Sequence, residues 1–285
     1  VDGMLARDSR ARGTRSGIAL IDLSPGETPR LAHRNGYDPF YPASVVKFVY
    51  LMAAYAWKEQ GRLRVEGELD QQLTSMIYNS SNVATQQVFR TLTRTEAGPI
   101  LGDEEYAEFR ESRLKVKRWL EDLGVEGIHS IHPTYNGGGD LFGRDMQLLQ
   151  DAGMKGGISN ANGTLKNRQA MTAVATAELL ALLASDLALT PNSSAEVRRR
   201  MQRDPAKQPY QRYRIAGGAM KISGVEVYSK SGTWGPIFAD AGVMRGPSGR
   251  QLVLAVFTEA TPAYRGDLIA NLARACAEEF LADGI

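Results

Sequence analysis

Residues 41–50 read "YPASVVKFVY", Tyr41 to Tyr50, and the run stays apolar through Leu51 and Met52. Its one charge is Lys47. Pro42 suits the first turn of a helix, where its missing N–H is an orphan anyway. Gly61, after "YAWKEQ", suits the end of that helix. Between them almost every position is apolar or small on all sides, which predicts a buried helix. Lys47 is then expected to be buried too. An isolated buried ammonium is expensive, so its pKa should fall or polar partners must surround it. Ser44 precedes it by three residues, on the same helix face. A desolvated lysine beside a serine hydroxyl can act as its base. A lysine that snorkels its head group to solvent is the plain alternative.

The bulk properties narrow the field. A chain of 285 residues allows one large domain or two intimate ones, with a substantial core. Charged residues make up 23% and the net charge is +2, which points to no nucleic-acid or membrane-surface role. The "EVRRRMQR" cluster around Arg200 reads as a solvated helix face. The single cysteine, Cys276, excludes an internal disulfide and a thiolate zinc cluster. Its step with Leu272 and Phe280 assigns it to the core. No apolar stretch has the length of a membrane span. The sequence opens at Val1 without a signal peptide, as a processed chain would.

Outward from the buried helix, "RSGIALIDLSPGETPRLAHRNG" predicts a hairpin, with Ile18 to Leu23 as its first strand and "SPGE" as its turn. From the buried helix to about Tyr213 the pattern is mostly helical. Leu69, Leu73, Met76 and Ile77 recur at helical spacing. "SSNVATQQVFRTL" starts another helix, "EEYAEFRESRLKVKRWLEDLG" predicts one longer amphipathic helix ended by Gly124, and "NRQAMTAVATAELLALLAS" is strongly periodic. Gly124 to Lys166 is rich in Gly and Asn and predicts a long shaped loop holding one helix, "GRDMQLLQDAG". After Ala219, three strand-like runs, "MKISGVEVYSKSG", "FADAGVMRG" and "RQLVLAVFTEA", precede a last helix, "DLIANLARACAEEFLAD". The expected fold is therefore α/β (α+β). An antiparallel sheet flanked by helices is built from residues 1–46 and 216–285. A mainly helical domain, 47–215, is inserted into it, and ligand sites commonly lie between such lobes.

Three short elements then fall in order: Ser44-Val45-Val46-Lys47, Ser80-Ser81-Asn82 at a junction of two helices, and Lys230-Ser231-Gly232-Thr233 at the end of a strand. Each has a plain reading of its own. Ser80 can simply cap its helix, and Lys230 can be an exposed lysine at a strand end. Together they resemble the S-x-x-K, S-D-N and K-[ST]-G set of class A β-lactamases and penicillin-binding proteins. "YNSSNVATQQVF", "RQAMTAVATAELLALLAS" and "YSKSGTWGPIFADAGVMRGPSGRQLVLAVFTEA" extend the resemblance over most of the chain. It implies a three-layer α/β domain plus an all-α domain. It implies an acyl-enzyme serine hydrolase without a cofactor, acting on a small-molecule or peptidoglycan-like substrate such as a β-lactam, a D-alanyl peptide or a related amide or ester. A protein that is acylated but turns over slowly is the other expectation. An exported protein, periplasmic or secreted, is expected.

By the same resemblance Ser44 is the nucleophile and Lys47 accepts or relays its proton. Ser80 passes a proton to the leaving nitrogen. Asn82 binds a substrate amide carbonyl and the Lys47 side chain. Lys230 supplies positive potential, Ser231 bonds a substrate carboxylate, and the N–H of Thr233 completes the oxyanion hole with that of Ser44.

The sequence also departs from the family. The E-x-x-x-N glutamate of the Ω-loop, the accepted deacylation base, has no counterpart in "MKGGISNANGTLKN", which contains no Glu or Asp. Asp140, Asp145 and Asp151 lie upstream, and their spacing selects none of them. Ser81 replaces the aspartate of S-D-N. The family's arginine near the third strand lacks a clear counterpart: Asp240 falls there and Arg245 is a candidate. His129 and His132 near Asp140 match no specific zinc pattern, so packing is the expected role and no metal is predicted.

Overall fold

The computed structural model describes residue 3, residues 13–136 and residues 141–282. The chain divides into two compact units, Val1–Val45 with Thr172–Ile285, and Val46–Met171. The sequence places the return to the sheet unit at 216, whereas it comes at Thr172. The reason is helix Ala173–Ala184, which packs on the sheet. Its apolar residues face in every direction and look the same in sequence whichever unit they cover.

The sheet unit holds β1 (Arg15–Asp22), β2 (Arg30–Arg34), β5 (Glu226–Trp234), β6 (Ile237–Arg245) and β7 (Gln251–Glu259). They form one antiparallel sheet in the order β2-β1-β7-β6-β5. β1 pairs with β7, Arg15 opposite Glu259 and Asp22 opposite Leu252. So the first strand lies between its hairpin partner and the last strand. In β7 every residue from Leu252 to Phe257 is buried. A strand with no polar alternation is covered on both faces. Helix α7 (Ala173–Ala184) packs against β1, β6 and β7. Helices α9 (Ile215–Ala219) and α10 (Leu268–Phe280) join Val227, Phe238, Leu254 and Val256 in one core cluster. Cys276 belongs to that cluster, and burial raises its thiol to about 11. Helix α8 (Pro191–Met201) carries the arginine cluster. Arg199 is exposed and pairs with Glu196, and Arg198 binds Asp186 and Leu183 O. Arg203, just beyond it, is buried and donates to Ser229 O on the outer edge of β5.

The helical unit opens with α1 (Lys47–Glu59), which continues a 3₁₀ turn, Ala43–Val46. Lys47 to Trp57 are all buried, and Gly61 takes a positive φ of 68° just past the end. Helices α2 (Gly67–Tyr78), α3 (Asn82–Thr93), α4 (Asp103–Arg113) and α5 (Lys115–Asp122) follow. The single long amphipathic helix expected over the last two is broken at Leu114. There Leu114 N is shared between the carbonyls of Arg110 and Glu111. The long loop carries α6 (Gly143–Gln150) and the two-residue strands β3 (Ile128–His129) and β4 (Ala170–Met171), paired with each other. No helix among the described residues is long and apolar enough to cross a membrane.

Candidate active site

Ser44 lies in the 3₁₀ turn that runs into α1, half-buried. Ala43 before it has φ 47°, a region costly for a residue with a Cβ. Strand β5 presses on this turn. A Cβ added at Gly232 would lie 2.6 Å from Pro42 O and 3.1 Å from Ser44 N. The glycine of the K-S-G element is thus needed so that strand backbone can reach the amide of Ser44. Lys230, Gly232 and Trp234 alternate onto this face of β5. Lys230 is 1% exposed and donates to Ser231 O at 2.9 Å, so it is not an exposed strand-end lysine.

The opposite face of β5 carries Ser229, Ser231 and Thr233. Arg214 lies across it. Its guanidinium donates to Thr233 Oγ1 at 2.5 Å and to Ala239 O at 2.7 Å, and rests 3.6 Å from the Phe238 ring centre. Burial lowers it to about 10, while Asp240 acts in the opposite sense. Asp240 sits opposite Ser231 in the register and accepts from Ile215 N at 2.9 Å. Burial raises its carboxyl, against the pull of Arg214, Arg203 and Lys230. The sequence offered Arg245 as the arginine of this strand. It pairs with Glu226 at the other end of β5, five residues and about 17 Å from Ser231 at the usual strand rise. Arg214 was missed. It sits in the polar run "QRYRIAGG", which carries no motif.

In the helical unit, Lys47 is 0% exposed and bound on three sides. Its Nζ donates to Ser80 O at 2.6 Å and to Asn82 Oδ1 at 2.7 Å, and lies 3.4 Å from Ser80 Oγ. Burial lowers its pKa from 10.5 to about 7. The snorkelling alternative is excluded by this geometry. Ser80 is not the helix cap; Ser81 is, accepting from Ala84 N at 3.2 Å. The residue that replaces the aspartate of S-D-N therefore keeps a structural role. Ser80, outside the helix, has φ 55°. Asn82 Nδ2 donates to Tyr135 O at 3.1 Å, which fixes the amide so that its oxygen faces Lys47.

Residues 65–280 match the beta-lactamase enzyme family. The chain belongs to this family. None of the curated proteins matches it in sequence. Among solved structures it is similar to a beta-lactamase from Sphaerobacter thermophilus DSM 20745, with 18% identity, 98% of this chain and 95% of that one covered, and a TM-score of 0.68. A beta lactamase from Xanthomonas campestris pv. campestris str. ATCC 33913 gives 18% identity, 97% of each chain and a TM-score of 0.68. A mutant of PBP-A, solved as an acyl-enzyme complex with penicillin G, gives 18%, 98% and 95%, and 0.66. The fold is that of the class A β-lactamases, as the resemblance implied.

The loop after α6 is anchored through Asn167. Asn167 is fully buried. Its Oδ1 meets His129 Nε2 at 2.6 Å, its carbonyl meets His132 Nε2 at 2.8 Å, and its Nδ2 donates to Leu148 O at 3.2 Å. The two histidines thus pin the loop. Burial holds His129 at about 4 and His132 well below the usual range, so both stay neutral at pH 7. Among the described residues no group of three His, Cys, Asp or Glu could hold a metal ion. Two of the three upstream carboxylates are already engaged. Asp145 is buried in an ion pair with Arg113 at 2.6 Å and accepts from Tyr135 OH at 3.2 Å. Asp151 accepts from Tyr106 OH and from Gly153 N, both at 2.8 Å. Asp140 lies outside the described residues.

Proposed function

We propose that the chain is an active-site serine hydrolase that acylates Ser44 with a β-lactam, a D-alanyl-peptide amide or a related ester, and releases the acyl group slowly. The observation that carries this reading is the environment of Lys47. A neutral amine has two N–H groups and one lone pair. Its two short bonds, to Ser80 O and Asn82 Oδ1, use both N–H groups and leave the lone pair for a proton. With its pKa near 7, the amine is a base matched to neutral pH. Ser44 stands one helical turn away in sequence.

The Ser44 Oγ proton passes to Lys47 as Oγ attacks the carbonyl carbon. The N–H groups of Ser44 and Thr233 take the developing oxyanion. Ser80 hands a proton to the leaving nitrogen as the C–N bond breaks, and is resupplied from Lys47. Lys230 and Ser231 receive the substrate carboxylate, and Asn82 its amide carbonyl. Water then cleaves the acyl ester. That step is slow, because the loop from Ala152 to Asn167 holds no carboxylate and a general base is worth roughly 10²–10⁴-fold. Asp145 and Asp151 have other partners, so Asp140 is the carboxylate that remains for a faster enzyme. The slow reading makes the chain closer in behaviour to a penicillin-binding protein than to an efficient β-lactamase.

The test is intact-mass spectrometry with benzylpenicillin over time. A stoichiometric adduct mapped to the Ser44 peptide, lost in Ser44→Ala and decaying over minutes or longer, is the expected result. An adduct that persists in Ser44→Ala removes Ser44 from the mechanism. Turnover at tens per second, on the usual scale of enzyme rates, refutes slow release, and Asp140→Asn then tests the base.

A further inference from the structure

Four polar side chains of the helical unit have no part in the reaction as described: Arg113, His132, Tyr135 and Asp145. Their bonds form one chain that ends on Asn82. Arg113 Nη2 donates to Asp145 Oδ1 at 2.6 Å, and both side chains are fully buried. The Arg113 guanidinium also rests on the rings of Phe109 and Phe89, 4.7 and 5.4 Å from their centres. Tyr135 OH donates to the same Asp145 oxygen at 3.2 Å. The carbonyl of Tyr135 accepts from Asn82 Nδ2 at 3.1 Å, and Asn82 Oδ1 accepts from Lys47 Nζ at 2.7 Å.

Residues 130–135 form neither helix nor strand. Among the described residues no backbone–backbone hydrogen bond involves them, so side chains place this stretch of backbone. The carbonyl of His132 takes bonds from Tyr50 OH and Gln169 Nε2. Its Nε2 meets the carbonyl of Asn167, which can only accept, so Nε2 carries the proton and Nδ1 is an acceptor. Nδ1 lies 3.5 Å from Tyr135 OH. The single phenolic proton goes to Asp145, the nearer acceptor and a charged one, and bonds to charge are the stronger kind. Asn82 turned by half a rotation would present N–H groups to Lys47, a donor. What prevents this is the Tyr135 carbonyl, and what holds that carbonyl is the ring at the far end of the same residue.

We propose that Tyr135 is a positioning residue for acyl transfer: its hydroxyl, moored to the Asp145–Arg113 pair, holds its own carbonyl against Asn82 and so fixes the acceptor that Lys47 faces. The proposal rests on Lys47 serving as the base for Ser44.

The test is a double-mutant cycle on acylation by benzylpenicillin, with wild type, Tyr135→Phe, Asn82→Ala and the double variant, each from pH 5.5 to 8.5. Rates are referred to the folded fraction of each protein. Tyr135→Phe keeps the ring and loses the mooring. Its rate should fall about tenfold or more, since small misplacements of reacting groups cost up to about 10²-fold. Among the described residues Lys47 bonds only to Ser80 and Asn82, and burial rather than a neighbouring charge lowers its pKa. Loosening Asn82 takes an acceptor from the ammonium, so the pH of half-maximal acylation should move down. In the Asn82→Ala background the same change should alter the rate by no more than about twofold, because the route it acts through is gone. Equal losses in the two backgrounds, or an unchanged rate and midpoint in Tyr135→Phe alone, overturn the positioning role and leave acylation standing. Absence of any adduct in the wild type overturns the acylation reading and this one with it.

Discussion

Replacing Lys47 by Met puts a thioether where the structure holds a fully buried amine. Met has a similar length and a good helix propensity, so α1 is expected to form. The stability change is the sum of two opposed effects. In the folded chain the lysine titrates near 7 rather than 10.5, and that gap corresponds to about 5 kcal/mol at about 1.4 kcal/mol per pH unit. Below pH 7 both folded and unfolded chains carry the proton, so the wild type bears this full cost. The variant escapes it, but leaves Ser80 O and Asn82 Oδ1 without their donor, at about 1–3 kcal/mol each. At pH 7 the variant should therefore match the wild type or exceed it by up to about 3 kcal/mol. Between pH 7 and 10.5 the unfolded wild type keeps the proton that the folded form has lost, so wild-type stability rises with pH. The advantage of the variant should shrink by about 2 kcal/mol from pH 7 to pH 9. Urea unfolding at pH 7, 8 and 9 measures this. Acylation by benzylpenicillin should fall roughly 10²–10⁴-fold at the same time. Parallel stability profiles for the two proteins would mean that Lys47 titrates normally and would sink the argument for it as a base at neutral pH.

Acylation by the wild type is expected to rise with pH through about 7, as Lys47 loses its proton, and stopped-flow or mass-adduct rates across pH 5.5 to 8.5 check it; a flat profile rules out that titration. Gly232→Ala forces a Cβ to within 2.6 Å of Pro42 O; overpacking of this kind costs about 1–3 kcal/mol, and the adduct rate should drop more than the thermal midpoint does. Arg113→Met leaves the Asp145 carboxylate buried without its cation, which should destabilise by about 3–5 kcal/mol in urea unfolding. Asp151→Asn should leave the lifetime of the benzylpenicillin adduct unchanged, since Asp151 serves Tyr106 and Gly153; a longer lifetime would make it the missing base.

The parts of the site that were legible in sequence are those whose signal is local. Lys47 announced itself as a charge inside an apolar helix, and its burial follows from the residues around it. Lys230 and Gly232 came with a strand end, and the lack of a carboxylate before Asn167 is a matter of composition. What stayed hidden depends on contacts between segments far apart in sequence. Arg214 acts through β5 and β6, and nothing near it in sequence signals it; Asp240 stands out on its strand, but its bond to the first turn of α9 does not. Helix Ala173–Ala184 was read as a helix, but its apolar surface did not say which unit it covers, so the expected boundary fell too late. Asn167 falls at the junction between the expected loop, Gly124 to Lys166, and the periodic run that begins at Asn167, whereas the helix starts only at Ala173; nothing in that junction signals its bonds to His129 and His132.

The pairing of β1 with β7 has a consequence for how the chain is made. Arg15 lies opposite Glu259, so one side of the first strand has no partner until 244 further residues have left the ribosome. At about 5–20 residues per second that is a wait of about 10–50 s. During it Ile18, Ala19 and Ile21, buried in the finished protein, sit on an open strand edge, the kind of template that seeds aggregation. The segment from Val46 to Met171 is contiguous and is free to fold meanwhile. Nascent chains stalled before Gln251 should therefore protect the helical segment from protease while the first hairpin is still cut. Slowing synthesis late in the message should lower soluble yield more than slowing it early.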